Sequence, residues 1–328
     1  MKTSLPNIGT AVTIGFFDGV HRGHQALIGQ LCEEARRWNL TTTVVTFDRH
    51  PRMVLQPQWH PLLLSTLSEK CELLHQTGID QLVVLQFDRQ LASLSARQFM
   101  DEVLLKQLGT RLLLTGYDNR FGRRGDDSCR EGFDDYVGYG RELGIEVVAG
   151  RPFEQDGMRV SSSYVRQLLT EGKVNQAAVC LGRPYQVSGE VVHGEAVGRR
   201  MGFPTANLQP PVSEDGQKLM PGTGVYAVWV KIGTENELHL GMMNIGRRPT
   251  FGGESLTYEV HLIHFTGSLY GKIITVYFKE RLRDERPFDS VGELTQQMEA
   301  DCQQAMNLLN NAEPSLQNLN DNTEPTSK

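Results

Sequence analysis

The chain has 328 residues, enough for two domains of about 150 residues each. Its 39% hydrophobic and 22% charged residues are typical of a folded globular protein and exclude wholesale disorder. A net charge of −6 without a basic stripe disfavours nucleic-acid binding, and no apolar run predicts a membrane-spanning helix. The N terminus lacks an apolar signal core and the five cysteines are scattered, so we expect a cytoplasmic protein with reduced thiols.

Apolar segments typical of strands alternate with helical segments through the first half of the chain. The strand-like segments are short and rich in Val, Leu and Ile, which fits burial on both faces of a sheet. Helical patterns between them predict βαβ units, and hence an α/β domain with a parallel sheet in residues 1–182. The predicted strands are residues 11–17, 41–47, 81–87, 111–115 and 144–150, and the predicted helices include 24–38, 95–108, 131–143 and two short ones within 161–181.

The pattern changes after Gly182. Strand-like segments with period-two alternation are separated by turns that contain Gly or Pro, which predicts a small antiparallel β-barrel in residues 183–310. One amphipathic helix is predicted from about 290 to 310, and the polar residues 311–328 are predicted to be a disordered tail. The predicted barrel strands are residues 185–192, 224–232, 238–246, 256–265 and 272–278.

The segment GFFDGVHRGH, residues 15–24, lies between the first strand and the helix that follows it. Ligands of open α/β sheets bind at this end of the strands, where a helix N terminus attracts phosphate. Gly15 and Gly23 allow close approach of the backbone, and His21 and His24 can donate hydrogen bonds to charge that develops during phosphate chemistry. A single histidine here would be read as a turn residue, but the pair at this junction favours a functional role.

Two further segments contain groups that bind anions. Residues 161–166 (SSSYVR) open a helix with hydroxyl groups and an arginine one turn later, although a plain N-cap explains them equally well. Residues 116–125 (GYDNRFGRRG) follow a strand and are rich in Gly and Arg, although a polar loop explains them without the other motifs.

The barrel contains a second candidate site. Glycines precede the run GFPTAN at residues 202–207, in which the Thr205 hydroxyl and the Asn207 carbonyl are hard oxygen ligands suited to Mg²⁺. An ordinary barrel corner is the alternative for this run. Glu259 shares one face of its strand with His261, and it is either an exposed residue or a general base for phosphoryl transfer.

Four segments in order, GFFDGVHRGH, TFDRHPR, GYDNRFGRRG and SSSYVR, resemble the nucleotidylyltransferase domain of bacterial bifunctional riboflavin kinase/FMN adenylyltransferases. The resemblance implies a Rossmann-like domain in which His21 and His24 stabilise the reaction at the α-phosphorus of ATP. Ser163 stands where the family usually has Thr, and Asp118 where some relatives have Asn. The other residues implied in binding ATP, FMN or pyrophosphate are Gly15, Phe17, Asp18, Gly23, His50, Arg120, Ser162, Ser163 and Arg166.

The second half resembles the riboflavin kinase domain of the same family. The matching segments are GEVVHGEAVGRRMGFPTANL, PGTGVYA, NIGRRPTF, YEVHL and LRDERPFDS. The resemblance implies a six-stranded antiparallel barrel closed by a helix, with Glu259 as the base on the riboflavin 5′-hydroxyl. It also implies that Thr205 and Asn207 coordinate Mg–ATP. The other implied binding residues are Gly194 and Arg199 in a loop over the nucleotide and Arg283 in a loop over the flavin.

Together the resemblances cover residues 11 to about 309 and imply riboflavin, FMN and ATP as small-molecule substrates, with Mg²⁺. They predict no nucleic-acid or membrane partner and leave a homo-oligomer open. One alternative is a transferase for another phosphate, with the barrel as a kinase or accessory domain. A second is a flavin-binding or regulatory protein that has lost one or both activities.

Overall fold

The computed structural model describes residues 9–56, 58–116, 121–122, 131–155, 157–193, 203–213, 216–235, 237–250 and 253–311. The predicted binding residues Arg120, Gly194 and Arg199 lie outside these ranges, as do Asp118 and residues 312–328 of the predicted tail. The chain divides into two compact units. The first unit runs to Ser162 and includes Ser213–Gln217, and the second contains Ser163–Val212 and the chain from Lys218 onward.

A five-stranded parallel sheet forms the centre of the first unit. Its strand order is β4-β2-β1-β5-β6, so the chain reverses its direction of growth between β1 and β5. Crevices at such a reversal point, beyond the carboxyl ends of the strands, are where ligands of these folds bind. The strands up to residue 159 are β1 (Thr10–Ile14), β2 (Thr41–Phe47), β3 (Leu62–Leu63), β4 (Gln81–Leu85), β5 (Thr110–Thr115), β6 (Glu146–Ala149), β7 (Glu154–Gln155) and β8 (Met158–Arg159).

Helices cover both faces of this sheet, as the βαβ pattern predicts. On one face, Ile28 and Leu31 of the first long helix pack against sheet residues, and on the other face Met100 and Tyr136 do so. This confirms the predicted parallel α/β fold. The helices of the first unit are α1 (Arg22–Trp38), α2 (Pro51–Leu55), α3 (Leu67–His75), α4 (Arg89–Ser93), α5 (Ala96–Phe99), which continues as a π-helical turn (Met100–Leu105), and α6 (Phe133–Leu143).

Six antiparallel strands close into a barrel in the order β10-β15-β14-β13-β16-β9. The barrel closes because β9 pairs with both β10 and β16. This confirms the predicted barrel and adds one strand, β10, in a segment that the sequence pattern did not identify as a strand. The strands after residue 182 are β9 (Tyr185–Val192), β10 (Thr205–Gln209), β11 (Val212–Ser213), β12 (Gly216–Lys218), β13 (Gly224–Ile232), β14 (Leu238–Thr250), β15 (Gly253–Leu262) and β16 (Ile273–Arg283).

From residue 162 onward, the helices in the described part of the chain are α7 (Ser162–Thr170), α8 (Val174–Leu181) and α9 (Val291–Asn310). The first two confirm the two short helices predicted within 161–181. In α9, Ala305 and Leu309 pack against Trp229 and Met242 of the barrel, which confirms the predicted closing helix.

Candidate active sites

The first candidate site is the loop at the carboxyl end of β1, beside the reversal point of the sheet. The chain passes from Gly15 through a short 3₁₀ turn (Asp18–Val20) into α1, whose N-cap is the buried residue His21. The backbone packs so closely that a side chain on Gly15 would meet the Phe17 ring, and one on Gly23 would meet the His21 imidazole. The predicted glycines therefore serve a tight turn that carries both histidines.

His21 and His24 form a stacked pair at the start of α1. Their ring centres are 3.6 Å apart, and the Phe17 ring lies nearly perpendicular to that of His24, with centres 5.1 Å apart. The His24 backbone N–H donates to Nδ1 of His21 at 3.4 Å, so a neutral His21 ring carries its proton on Nε2, where it is a donor. The structure thus brings the two predicted histidines together.

The electrostatic environment keeps His24 uncharged. Burial, followed by the neighbouring His21, lowers the pKa of His24 well below its usual value of 6.5. Its Nδ1 atom is buried and has no hydrogen-bond partner among the residues that the structure describes. At neutral pH the residue is therefore a hydrogen-bonding group rather than a cation.

Asp18, predicted as a ligand-binding residue, holds the neighbouring loop. Its buried carboxylate accepts hydrogen bonds from the backbone N–H groups of Leu64 and Ser65 at 3.0 and 3.1 Å and from the Ser65 hydroxyl at 3.2 Å. Its own carbonyl accepts a bond of 3.1 Å from the Ser162 hydroxyl, and the N–H of Gly19 donates to Ser65 Oγ at 2.9 Å. The described contacts of Asp18 therefore fix the shape of the loop.

His50 lies at the N terminus of α2, where its Nδ1 accepts a hydrogen bond of 3.1 Å from the Arg52 N–H. Its ring packs between Phe16, with centres 4.7 Å apart, and Trp59, with centres 4.6 Å apart. Because Phe16 follows β1 and His50 follows β2, this aromatic cluster lies at the carboxyl edge of the sheet. Sequence reasoning missed Trp59 as a member of this cluster, because no helical or strand pattern surrounds it.

A buried lysine binds to the same carboxyl edge of the parallel sheet. Lys70 of α3 is 2% exposed, and its Nζ donates to the Phe47 carbonyl at 2.8 Å and lies 4.0 Å from the centre of the Phe16 ring. Sequence reasoning missed this residue, although its place three residues before Leu73 and four before Leu74 put it on the apolar face of α3.

The remaining residues predicted for this site lie on α7. Ser162 begins the helix and donates to Asp18 as described. Ser163 is exposed in the first turn, and Arg166 is half-buried one turn later. Both belong to the second compact unit.

The second candidate site is a row of side chains that crosses the barrel. Asn207 on β10 lies directly opposite Glu259 on β15, and Glu259 lies directly opposite Asn244 on β14. The row continues through Val225 on β13 to Arg283 on β16. Directly opposed residues share one face of a sheet, with Cβ atoms about 5 Å apart. The register therefore groups three predicted residues with Asn244, which sequence reasoning missed.

One cavity adjoins this row, and a second is lined by Val260 and Leu262, which alternate with Glu259 on β15. The first, of about 280 Å³, is lined by Glu259, His261 and Asn244 and by side chains of α9. The other, of about 520 Å³, lies between strand residues and the segment from Phe265 to Tyr270. Thr205 is among the lining residues of both cavities.

His261, two residues beyond Glu259 on β15, is held in place and uncharged at neutral pH. Its ring nitrogen Nδ1 lies 3.0 Å from the Pro204 carbonyl. Burial lowers the pKa of His261, and the bond to Pro204 opposes this only in part. Glu259 and His261 line the same cavity, which confirms the predicted strand face.

Two ion pairs organise the charged groups of the smaller cavity. Arg248 donates from its guanidinium to Oε1 of Glu259 at 2.7 Å. Arg283, predicted in a loop over the flavin, ends β16 and donates from Nε to Asp301 of α9 at 2.9 Å. Neither Arg248 nor Asp301 was singled out from the sequence.

A metal ion here would have few protein ligands. In the described part of the chain, no three His, Cys, Asp or Glu side chains form a cluster that could hold a metal. Thr205 and Asn207 are two residues apart on β10 and lie on the same face, with both side chains half-buried. Two neutral oxygen ligands fit Mg²⁺ that is bound mainly by phosphates and water.

Comparison with known proteins identifies the two halves. A model of the FAD synthetase family matches residues 4–164, and a model of the riboflavin kinase family matches residues 181–309. The bifunctional riboflavin kinase/FMN adenylyltransferase of Escherichia coli (strain K12) is 38% identical over 301 residues, which cover 91% of this chain and 92% of the relative. The protein of the same description from Bacillus subtilis (strain 168) is 37% identical over 306 residues, covering 92% and 93%.

A solved structure described as a macrolide-efflux protein from Streptococcus pneumoniae has the same fold over nearly the whole chain. Its TM-score is 0.81 and its sequence identity 34%, and the match covers 93% of this chain and 96% of that one. Within the residues that the structure describes, no helix is long and apolar enough to cross a membrane.

The α/β sheet, the barrel and the two matching models together define an enzyme that joins an FAD synthetase domain to a riboflavin kinase domain. The chain belongs to the family of bifunctional riboflavin kinase/FMN adenylyltransferases. It is a transferase on the path from riboflavin through FMN to FAD, and both predicted activities are confirmed.

Proposed function

We propose that Glu259 is the general base of the kinase reaction. In that step the riboflavin 5′-oxygen attacks the γ-phosphorus of ATP while its proton passes to the Glu259 carboxylate. A new O–P bond forms, the bond from the γ-phosphorus to the β,γ-bridging oxygen breaks, and ADP leaves. The observation that carries this proposal is the row in which Glu259 lies directly between Asn207 and Asn244, on the wall of the smaller cavity.

The residues that would hold a magnesium ion are Thr205 and Asn207, through their hydroxyl and carbonyl oxygens. When bound, Mg²⁺ would supply positive charge that offsets the negative charge on the phosphates of ATP. The position of Thr205 on both cavities supports ATP in the larger cavity and riboflavin in the smaller one. We further propose that Arg283, held by Asp301, lines the flavin side, and that Gly194 and Arg199 cover the nucleotide.

In the adenylyl transfer, a phosphate oxygen of FMN attacks the α-phosphorus of a second ATP. The new O–P bond forms as the bond to the α,β-bridging oxygen breaks, and pyrophosphate leaves. We propose that His21 and His24 donate hydrogen bonds to the α-phosphate oxygens in the transition state. Their stacked arrangement at the N terminus of α1, beside the reversal point of the sheet, supports this role.

The other predicted residues have four different roles in this proposal. Gly15, Phe17, Gly23 and His50 lie on the loop or at the strand ends next to the histidines and border the ATP and FMN sites. Asp18 acts through the loop that it holds. Ser162, Ser163 and Arg166 bind the outgoing pyrophosphate, and Arg120 lies near FMN and ATP.

The domain boundary and cellular location are also proposals. The two family models leave a gap between residues 164 and 181, and α7 and α8 fill it. We assign residues 1–182 to adenylyl transfer, because the SSSYVR segment belongs to that reaction, and residues 183–310 to the kinase. A cytoplasmic location and an oligomeric state stay predictions from the sequence.

One experiment tests both steps. Purified protein is incubated with riboflavin, ATP and Mg²⁺, and FMN and FAD are separated by chromatography. The variant Glu259→Gln should lose FMN formation by about 100-fold or more and still make FAD from supplied FMN. The variant His24→Ala should instead accumulate FMN. Loss of both steps in either variant, or of neither, would contradict the assigned sites.

A further inference from the structure

The base proposed for the kinase reaction is held by an arginine that lies outside every segment assigned a chemical role above. We propose that Arg248 is a positioning residue that fixes the Glu259 carboxylate for proton transfer. The inference rests on the proposed role of Glu259. Its starting point is the hydrogen bond of 2.7 Å between the Arg248 guanidinium and Oε1 of Glu259.

The register of β14 and β15 separates the backbones of Arg248 and Glu259 along the strands. Glu259 lies opposite Asn244, and Arg248 is four residues further along β14, opposite Ser255. Four residues of strand span about 13 Å, so both side chains must extend toward each other to meet. A pair that is extended in this way restricts the rotamers of the carboxylate.

Gly246 lies on β14 between Asn244 and Arg248, and its missing side chain leaves space on this face of the strand. The three residues alternate onto the same face. The Glu285 carboxylate lies where a side chain on Gly246 would be, and its Oε2 accepts a bond of 3.2 Å from the Arg247 N–H. The glycine therefore leaves this part of the cavity wall open to charged groups from other segments.

The contact with Arg248 gives the two carboxylate oxygens of Glu259 different roles. Oε1 of Glu259 is occupied by Arg248, and within the described residues no hydrogen bond is found at Oε2. Glu259 is 19% exposed and lines the smaller cavity, so Oε2 is the oxygen that remains for the substrate hydroxyl. The arginine thereby acts on the reaction through Glu259.

This role predicts a specific kinetic pattern. Replacing the guanidinium by an uncharged stem in Arg248→Met should lower kcat for FMN formation by about 10- to 100-fold, as expected for a misplaced catalytic group. The KM values for riboflavin and ATP should change by less than about threefold, because in this proposal Arg248 acts through Glu259 and not through a contact with substrate. The variant Arg248→Lys, which keeps a positive charge, should recover part of kcat.

The decisive measurement is a double-mutant cycle with Glu259→Gln. If Arg248 acts through the carboxylate, Arg248→Met should not lower the residual kinase rate of Glu259→Gln any further. An equal fall in both backgrounds would overturn the inference, because the arginine would then act on the phosphate independently. An unchanged kcat in Arg248→Met, or a change confined to KM, would overturn it as well.

Controls separate this inference from folding and from the proposed function. FAD formation from supplied FMN and the thermal unfolding midpoint should stay at the wild-type level in the Arg248 variants. The matched control Arg247→Met removes the neighbouring arginine, whose side chain points from the other face of β14, and should leave kcat unchanged. Full kinase activity in Glu259→Gln would contradict the proposed base itself, whereas a normal rate in Arg248→Met with an inactive Glu259→Gln would contradict only the positioning role.

Discussion

Asp301 in α9 and Arg283 at the end of β16 form a buried ion pair that joins the closing helix to the barrel. Arg283 donates from Nε to both carboxylate oxygens, at 3.2 and 2.9 Å, and from a terminal nitrogen at 2.9 Å. Gln297, one turn earlier in α9, donates to the same carboxylate at 2.8 Å. Since Arg283 and Asp301 both line the smaller cavity, this pair sets the shape of the proposed flavin site.

Replacing Asp301 with Ala should weaken both the barrel and flavin binding. Removing one partner of a buried pair leaves a charge without compensation and destabilises a protein by about 3–5 kcal/mol. The freed Arg283 should also raise the KM for riboflavin, while FAD formation from supplied FMN remains. Riboflavin kinetics and urea unfolding measure the two effects.

The exposed Glu299, two residues earlier on the same helix, provides the control. Glu299→Ala should leave riboflavin kinetics and unfolding close to wild type, because the side chain is exposed. An Asp301→Ala enzyme with a wild-type KM for riboflavin would show that the pair serves only the attachment of the helix.

A second prediction concerns Asp18 and the loop that it holds. In Asp18→Asn, an amide N–H replaces one acceptor oxygen and opposes the backbone N–H groups of Leu64 and Ser65. Leaving such buried donors unpaired should destabilise the first unit by about 1–3 kcal/mol. FAD formation should fall while FMN formation persists, as followed by chromatography and thermal unfolding. The exposed Asp134→Asn is the control, and an equal loss in both variants would contradict the role of the loop.

Two glycines of the first unit should respond in opposite directions to alanine. Gly122 has a φ of +91°, and a Cβ there would meet the backbone of Ala96 at the N terminus of α5. Gly29 lies inside α1 with open space around it. We expect Gly122→Ala to destabilise the unit by at least about 1 kcal/mol and Gly29→Ala to stabilise it by about 0.5–1 kcal/mol. Chemical unfolding of the two variants side by side tests the prediction, which fails if they shift in the same direction.

The sequence pattern predicts most of the fold because burial and periodicity are local signals. The predicted strands 41–47, 185–192 and 224–232 coincide with β2, β9 and β13. The missed strand β10 is short and follows Pro204, and it is a strand because β9 and β15 both pair with it. Closure of a barrel is a long-range requirement that the local pattern of Thr205–Gln209 does not contain.

In the candidate sites too, contacts within one chain segment can be predicted from the sequence, whereas contacts between distant segments cannot. His21 and His24 meet because they are three residues apart in one chain segment, so their spacing predicts the contact. Arg248 reaches Glu259 only through the register of β14 and β15, and Asp301 is buried in α9 only because Arg283 compensates its charge. These partners depend on which strands are neighbours and in which register, so the motifs around them did not reveal them.

A fourth prediction follows from the lowered pKa of His24. Its folded-state pKa is well below 6.5, so the unfolded chain binds the additional proton as the pH falls through 6.5. The stability contributed by the neutral ring is therefore complete only well above pH 6.5 and is lost as the pH falls through 6.5, by up to about 1.4 kcal/mol per pH unit. His24→Gln lacks this titration, so the free energy of unfolding of the wild type should fall relative to that of the variant between about pH 7.5 and pH 5. Urea unfolding across that range measures the difference.

The exposed His75→Gln variant is the control and should follow the wild type. A difference between wild type and His24→Gln that is constant with pH would show that His24 does not titrate in this way.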